Sequence, residues 1–482
     1  MKKVLRLLLC LFFVMSFAFS VMACGGGGGD KPSDDPKPDP GPDPNPPVTE
    51  VDPTYSEQFL LGSWVSYYDT RINSLENQMK ALSEAGLNFT IAPYAWAVKD
   101  KDKNEYFDNV DLYDSVDDWK EIDRLCNKYG MYYYASSPKG QRTQEGFEDL
   151  MNIGDALKES EYFTGYWLWD EPSYDKLPEM AQWYKKYLTE DKKHKCFVNL
   201  AGGSGVAGVD FRAHCNKYVE LIGKENVHML SYDCYPIRTG ATADTITLLD
   251  YVKFMCSEIV RDVAYKNGKL FTHSFPQSTG FTGAPMTTYD QIAWDDWGYI
   301  AYGFKGLTYF NYVCPGVSSD TGECFVGSFI DRDGSVIDQT LYNKVTALNM
   351  RIRAIGDILV KYDAVHAYHT VNGKYGNYVE YLPNGYFVKP ATNAKDWVVS
   401  VFEPKNDGDD IIFTVWNNDL YNANTETFLF DQYSGIETLE KFNDNTKTWE
   451  EINIDDYSFE LSLGIGELNM YRITGVNPSS VF

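Results

Sequence analysis

Short apolar or aromatic runs alternate with longer amphipathic stretches from Leu60 onward. The apolar runs show little polar alternation, as expected for strands whose two faces are both buried. Eight of these runs are predicted strands: Leu60–Tyr67, Phe89–Tyr94, Met131–Ser136, Tyr166–Trp169, Cys196–Leu200, Val227–Tyr232, Leu270–Phe275 and Leu307–Asn311.

The stretches between these runs have helical spacing and signals for helix ends. The first two helices are predicted from Leu75, Met79, Leu82 and Ala85, and from Trp119, Ile122, Leu125 and Tyr129. Gly86 and Gly130 follow these faces, where glycine commonly ends a helix. Thr288 and Gln291 have capping-box spacing, which predicts the start of the seventh connecting helix.

Strands that alternate with helices indicate parallel strands joined by right-handed crossovers. Eight such units within about 300 residues predict a (β/α)8 barrel, which we place over residues 56–364. An open doubly wound sheet is the alternative. Such a sheet usually has a glycine-rich phosphate loop after its first strand, and Gly62-Ser63-Trp64 is not one.

The pattern changes after a long helix predicted from about Thr340 to Val360. Residues 365–482 contain short alternating strands separated by Asn, Asp and Gly turns. Examples are Trp397–Phe402, Ile411–Trp416, Thr427–Phe430 and Asn469–Ile473. This spacing predicts a small antiparallel β-sandwich that follows the barrel.

The first 55 residues have the composition of an export signal and a tether. Three cations precede an apolar run from Leu7 to Met22, which is typical of a secretory signal over residues 1–23. Val21-Met22-Ala23-Cys24 resembles the lipobox of bacterial lipoproteins, which implies lipidation at Cys24. A plain signal peptide with a chance cysteine is the alternative. The Gly, Pro and Asp residues of 24–55 predict a disordered tether.

A glycine-rich and acidic tract after such a cysteine is similar to surface lipoproteins of gut Bacteroidota. The similarity implies an outer-membrane protein anchored by lipid alone and exposed at the cell surface. No segment after the signal is apolar for long enough to span a bilayer.

Net charge and cysteine spacing limit which macromolecules, metals or cofactors the protein is expected to bind. The formal net charge is −26 and the sequence has no basic stripe, which excludes a nucleic-acid partner. Seven cysteines follow Cys24 without metal-ligand spacing, and we expect neither a metal nor another cofactor. Cys314 and Cys324 flank a Gly/Ser/Asp loop, so the sequence leaves a disulfide between them open.

The residues at the carboxyl ends of the predicted strands form the candidate site, since barrel enzymes place their chemistry there. Asp170, Glu171 and Asp233 are the candidate catalytic carboxylates. The candidate substrate-binding residues are Trp64, Tyr67, Tyr94, Trp96, Asn199, Tyr232, Tyr235, His273, Gln277 and Asn311. Flat aromatic faces with polar edges suit sugars, whereas phosphate groups would require more cations than this set offers.

Glu171 suits the role of the acid that protonates a leaving glycosidic oxygen. It follows an aromatic strand and stands beside Asp170, and both features raise the pKa of a carboxyl group. Alternatively, Asp170 and Glu171 cap the next helix, with Pro172 in its first turn.

The sequence resembles the barrel glycoside hydrolases of clan A, including β-galactosidase-like members and glycosidases of gut Bacteroidota. The resemblance covers most of residues 58–475 and rests on Glu171 after a Trp-rich fourth strand. It also rests on Ser231–Pro236, Trp297–Gly303 and Asp331–Gly334. It implies that Glu171 is the acid/base and that the substrate is a carbohydrate.

One departure from this family lies at the seventh strand, where clan A members carry a nucleophilic Glu. This chain has Gln277 after that strand, and an amide can act neither as a nucleophile nor as a base here. Asp233 or Asp170 is therefore the candidate second carboxylate. Asp295 and Asp296 are expected on a solvated helix face.

The sequence therefore leaves two functions open: hydrolysis of a glycan at the cell surface, or glycan binding without catalysis.

Replacing the lipobox cysteine tests the predicted anchor. Cys24→Ser removes the only thiol that lipidation could use at this motif, so the protein should leave the membrane fraction. Cell fractionation with immunoblotting measures the distribution, and Cys10→Ser within the apolar run is the matched control. If the Cys24 variant pellets with membranes as fully as the control does, lipid anchoring at this position is excluded.

Overall fold

The computed structural model describes residues 58–64, 74–91, 98–99, 106–107, 115–203, 210–238, 243–281, 283–314, 317–318, 325–331, 334–406, 410–476 and 481–482. A closed barrel is followed by two packed sheets. The predicted signal, Cys24 and the predicted tether lie outside these residues. Among the described helices, none is both long and apolar enough to cross a membrane.

Eight parallel strands close the barrel, and each pairs with its neighbours in sequence while β8 pairs with β1. The strands are β1 Leu60–Ser63, β2 Phe89–Ile91, β3 Tyr132–Ala135, β4 Phe163–Asp170, β5 Lys195–Ala201, β6 Leu230–Asp233, β7 Thr272–Phe275 and β8 Gly306–Tyr309. The predicted (β/α)8 barrel is confirmed. Several strands differ from the prediction by a few residues at their ends, because apolar runs continue into adjoining turns.

One helix follows each barrel strand and covers the outside of the barrel. The helices are α1 Leu75–Glu84, α2 Val116–Tyr129, α3 Gln144–Leu157, α4 Leu177–Glu190, α5 Phe211–Ile222, α6 Ala243–Lys266, α7 Tyr289–Ala301 and α8 Gln339–Leu359. The predicted end signals act as expected. Gly130 ends α2 in the left-handed conformation, and Thr288 and Gln291 form a capping box at the start of α7.

Large side chains fill the inside of the barrel, which we call the lumen. Phe89, Tyr134, Trp167 and Phe197 belong to one buried lumen cluster. Polar groups also lie in this interior, because His273 bonds to Ser231 and to Thr308. The lumen is therefore a packed core rather than a channel.

The C-terminal region forms the predicted β-sandwich. Its strands are β9 Tyr362–His369, β10 Glu380–Tyr381, β11 Val388–Pro390, β12 Trp397–Pro404, β13 Ile411–Asn417, β14 Asn424–Phe430, β15 Thr438–Asn443, β16 Thr448–Glu451, β17 Ser458–Leu463 and β18 Leu468–Thr474. A seven-stranded sheet has the order β10-β9-β12-β13-β18-β15-β16, and β11-β14-β17 form the second sheet. Phe413, Phe428 and Phe459 pack in the core between them. The larger sheet is mixed, since β9 and β10 are parallel.

The prediction of a solvated face for Asp295 and Asp296 is wrong. Both side chains on α7 are almost fully buried. Lys253 of α6 is buried with them and donates to the Asp295 carboxylate, while the Asp295 backbone carbonyl accepts from the same ammonium at 2.9 Å. Asp296 accepts a hydrogen bond from Tyr309 at 2.8 Å. These carboxylates lie inward because α7 lies between the barrel and the β-sandwich.

Asp295 also supports the end of the seventh strand, since its second oxygen accepts the backbone N–H of Gln277 at 2.9 Å. Asp295→Ala should leave the Lys253 charge and this N–H without their partner. Breaking a buried ion pair typically costs about 3–5 kcal/mol. Urea unfolding at neutral pH should show a loss of that size.

Asp290→Ala is the matched control, because Asp290 is exposed in the first turn of the same helix. Its favourable interaction with the helix dipole is worth about 1 kcal/mol or less. Equal destabilisation by the two substitutions would show that the buried ion pair does not support the barrel.

Candidate active site

Three carboxyl groups meet at the mouth of the barrel, the end at which the strands have their carboxyl termini. Asp170 and Glu171 end β4, and Asp233 ends β6. The intervening strand β5 sets their separation, because Asn199 is in register with Asp170 and Ala201 with Asp233. The candidate catalytic carboxylates therefore come together as the strand-end rule predicts.

The end of β4 has an irregular backbone that changes the direction of its last side chains. The register with β5 shifts between Trp167 and Trp169, as in a β-bulge. Glu171 then adopts φ 48°, a left-handed conformation that is unfavourable for a residue with a Cβ by about 1–2 kcal/mol. Its backbone N–H donates to the Asn199 carbonyl at 2.9 Å. Such backbone strain is common at functional sites.

The alternative that Asp170 and Glu171 cap the next helix is wrong. A 3-10 turn, Tyr174–Lys176, follows the strand, and α4 begins only at Leu177. Neither carboxylate accepts a hydrogen bond from the first turn of α4. The two acids are instead held by β5 and β6.

Hydrogen bonds join the three carboxyl groups. Asn199 Nδ2 donates to Asp170 Oδ1 at 3.2 Å, and the Tyr235 hydroxyl donates to Asp233 Oδ2 at 3.3 Å. The Glu171 and Asp233 side chains are hydrogen-bonded to each other. Two carboxyl groups can form such a bond only when one of them carries a proton.

The pKa values of all three groups are raised. The negative charge of Asp233 raises the pKa of Glu171 well above its ordinary value, and desolvation adds to this effect. Desolvation raises the pKa of Asp170 to about 7, with a further contribution from Asp233, and raises that of Asp233 to about 6. Asp170 and Glu171 are open to solvent, whereas Asp233 is 8% exposed. With these raised pKa values, the cluster holds at least one proton near neutral pH.

A directed chain of hydrogen bonds runs from the lumen to this cluster. Desolvation lowers the pKa of His273 to about 3, so its imidazole is neutral. Ser231 donates to Asn199 Oδ1 at 2.9 Å, and its oxygen must therefore accept from His273 Nδ1, also at 2.9 Å. His273 Nε2 then accepts from Thr308 at 2.8 Å. The chain fixes the Asn199 amide with its NH2 group toward Asp170.

Several predicted substrate-binding residues are buried rather than open at the mouth. His273 is fully buried in the lumen. Tyr232 is also fully buried, and its hydroxyl bonds to Ser257 of α6, because alternate residues of a strand face the helix layer. Trp64 and Asn311 are 4% and 0% exposed. The burial of these four side chains corrects their assignment as open substrate contacts.

Gln277 is also a structural residue. It is fully buried. Its Oε1 accepts the backbone N–H of Ile237 at 3.2 Å, and its Nε2 donates to the Ile237 carbonyl at 3.1 Å. The side chain thus ties the turn after β7 to the turn after β6 and does not point at a substrate.

Tyr235 remains at the mouth and belongs to an aromatic wall that the strand-end rule does not identify. Its ring lies 5.0 Å from that of Phe310 and 5.6 Å from that of Phe281. Phe325 packs against Phe310 from a loop that follows β8. On the other side of the mouth, the Arg142 guanidinium stacks on the Trp169 ring at 3.4 Å. The sequence signal that could have identified this wall is the presence of aromatic residues two or more positions past the strand ends.

Three predicted substrate-binding residues, Tyr67, Tyr94 and Trp96, lie outside the described residues. Cys324 does as well, so the disulfide with Cys314 stays a prediction. In the part of the chain that the structure describes, no group of three or more His, Cys, Asp or Glu side chains could hold a metal ion.

No protein-family model and no curated protein matches this sequence. Solved structures of glycoside hydrolases are similar in fold. A GH42 β-galactosidase from G. stearothermophilus, solved as a catalytic mutant, is 7% identical with a TM-score of 0.53, and the match covers 86% of this chain and 98% of that one. A β-galactosidase from Bacillus circulans sp. alkalophilus is 8% identical with a TM-score of 0.53, over 87% and 99% of the two chains. The fold that the sequence resemblance implied is therefore confirmed.

The raised pKa of Asp233 predicts how stability depends on pH. A raised pKa means that Asp233 contributes stability that is fully present below about pH 4 and lost as pH rises through about 6. Asp233→Asn removes this dependence. The melting temperature of the variant should therefore rise relative to wild type between about pH 4 and pH 7.5.

Differential scanning calorimetry across this pH range measures the effect. Asp155→Asn on α3 is the control, because the Asp155 side chain is 81% exposed. A variant-minus-wild-type difference that stays flat with pH for Asp233→Asn would contradict the assigned electrostatics.

Proposed function

We propose that the chain is a glycoside hydrolase that cleaves a glycan at the barrel mouth, with Glu171 as the general acid. One arrangement carries the proposal: Glu171 follows the fourth barrel strand and is hydrogen-bonded to Asp233 at the end of the sixth, whose negative charge raises the pKa of Glu171. A general acid must hold its proton at working pH and give it to the leaving oxygen.

The environment of Glu171 supports this role physically. Asp233 and Asp170 surround it with negative charge, and ionisation of Glu171 would add a third charge to the same cluster. Solvent reaches Glu171, so a substrate can reach it as well. The fixed Asn199 amide holds the neighbouring Asp170, which limits how far the cluster can relax.

The aromatic wall supports a carbohydrate as the substrate. Tyr235 combines a flat ring with a hydroxyl group bound to Asp233, and sugars present both C–H faces and hydroxyl groups. Two glycoside hydrolases of similar fold, described above, are named as β-galactosidases. The net charge of −26 favours a neutral or cationic glycan over a polyanionic one.

A non-catalytic glycan-binding protein is the second candidate. Gln277 favours it, because this residue follows the seventh strand and is fixed by both its amide atoms to Ile237. In this alternative, the aromatic wall binds a sugar and the carboxyl cluster supplies only hydrogen bonds.

We further propose that the protein acts at the outer face of the outer membrane and is anchored through lipid on Cys24. The lipobox-like Val21-Met22-Ala23-Cys24 and the glycine-rich tract after it support this location. The barrel would then meet extracellular glycans at the end of a flexible tether.

Glu171→Gln tests the assignment of the general acid. The amide keeps the size of the side chain but has no transferable proton. Since general acid catalysis contributes about 10²–10⁴-fold, kcat should fall by that factor while glycan binding persists. Reducing-sugar release from a polysaccharide panel measures hydrolysis, and isothermal titration calorimetry measures binding.

Glu190→Gln, at the exposed end of α4, is the matched control and should retain the wild-type rate. Full activity in Glu171→Gln would show that another residue is the acid. Tight glycan binding by wild type without hydrolysis of any linkage would support the binding protein instead.

A further inference from the structure

The carboxyl groups at the mouth lie on one side of the barrel. Asp170 and Glu171 come from β4 and Asp233 from β6, with only β5 between them. In the described part of the chain, the residues one or two positions past β1, β3, β7 and β8 add no carboxylate. Trp64, Ser136, Gln277 and Asn311 are found at those ends, and each is buried.

The pair Glu171 and Asp233 fits neither of the usual spacings of paired glycosidase carboxylates. Retaining enzymes hold the two groups about 5–5.5 Å apart, and inverting enzymes hold them about 6.5–9.5 Å apart with room for water. Glu171 and Asp233 are within hydrogen-bonding distance of each other. Asp170 and Glu171 are consecutive at the end of one strand, so both approach a sugar from the same side of the mouth.

A nucleophile on the substrate itself removes this difficulty. We propose that the substrate is a β-linked 2-acetamido sugar whose own acetamido oxygen attacks C1 while Glu171 protonates the leaving oxygen. The inference rests on the proposed glycoside hydrolase activity and names its substrate class. In the β-linked gluco and galacto sugars, the 2-acetamido group is trans to the leaving group and can reach the opposite face of C1.

The reaction balances without any group from outside the site. The acetamido carbonyl oxygen forms a bond to C1, the glycosidic C–O bond breaks, and the Glu171 proton moves to the leaving oxygen. A cyclic oxazolinium ion and a Glu171 carboxylate result. Water then attacks C1, the ring C–O bond breaks to restore the acetamido group, and Glu171 takes the proton from water.

Asp233 lies where its carboxylate can stabilise the oxazolinium cation that this route forms. As the acetamido oxygen attacks, its amide N–H becomes more acidic and gains from a carboxylate acceptor. Asp233 receives hydrogen bonds from Tyr235 and Asn199, which favour its ionised form. A carboxylate beside Glu171 therefore stabilises positive charge, even though it is not positioned to attack C1.

The aromatic wall beside Asp233 suits the methyl group of an acetamide. The Tyr235 hydroxyl donates to Asp233, and the Tyr235 ring is half-buried at the mouth. This ring lies 5.0 Å from the half-buried ring of Phe310. These side chains form an apolar surface next to the charged cluster. A 2-hydroxyl group would gain nothing from such a surface, whereas a methyl group would.

Matched glycosides test the inference on the intact protein. 4-Nitrophenyl β-glycosides of N-acetylglucosamine and N-acetylgalactosamine should be hydrolysed, as should β-linked oligosaccharides of these sugars. The corresponding glucosides and galactosides should react at least about 10²-fold more slowly. Replacing the acetyl hydrogens by fluorine weakens the carbonyl nucleophile, so kcat/KM should fall by about tenfold or more from acetyl to trifluoroacetyl.

The outcomes separate this inference from the proposed function. Equal hydrolysis of 2-hydroxy and 2-acetamido substrates, or rates that do not respond to fluorination, would overturn substrate assistance and leave the glycosidase proposal standing. Hydrolysis of 2-hydroxy glycosides alone would do the same. Failure to cleave any of these substrates or any glycan of the panel would overturn both.

Discussion

The contacts of Asn199 hold the candidate site together. Its backbone carbonyl accepts the N–H of Glu171, its NH2 group donates to Asp170, and its oxygen accepts from Ser231. One residue of β5 thereby positions the end of β4 against β6. Without it, the end of β4 would lose its link to β5 and β6, and no described cation forms an ion pair with any of the three carboxyl groups to replace that link.

The neutral His273 is the reason that Asn199 has a single orientation. A protonated imidazole would donate from both nitrogens and could not accept from Thr308. Burial in the lumen keeps the ring neutral. The neutral ring donates to Ser231, and Ser231 must then donate to Asn199. The polar layer of the lumen is thus part of the site, although no substrate reaches it. The close-packed barrel interior keeps these hydrogen-bond directions fixed, because its side chains have few alternative positions.

The barrel, its helices and the meeting of Asp170, Glu171 and Asp233 could be predicted because strand periodicity and strand order determine which residues reach the mouth. The direction of each side chain could not be predicted to the same degree. Tyr232 and Asp233 are consecutive, and only the register of β6 decides that the tyrosine faces α6 while the aspartate faces the cluster. The bulge at the end of β4 and the burial of Asp295 depend on tertiary packing, which the local sequence does not encode.

Gln277 illustrates how a side-chain amide can have a structural role just past the end of a barrel strand. Its side-chain amide accepts a hydrogen bond from the Ile237 N–H and donates one to the Ile237 carbonyl. A glutamate there would keep the bond to the N–H, but its second oxygen would face a carbonyl with no proton to share. Asp295, which holds the Gln277 backbone N–H, would add a nearby negative charge. The chemistry of the amide therefore stabilises the two turns, and a carboxylate would destabilise the same turns.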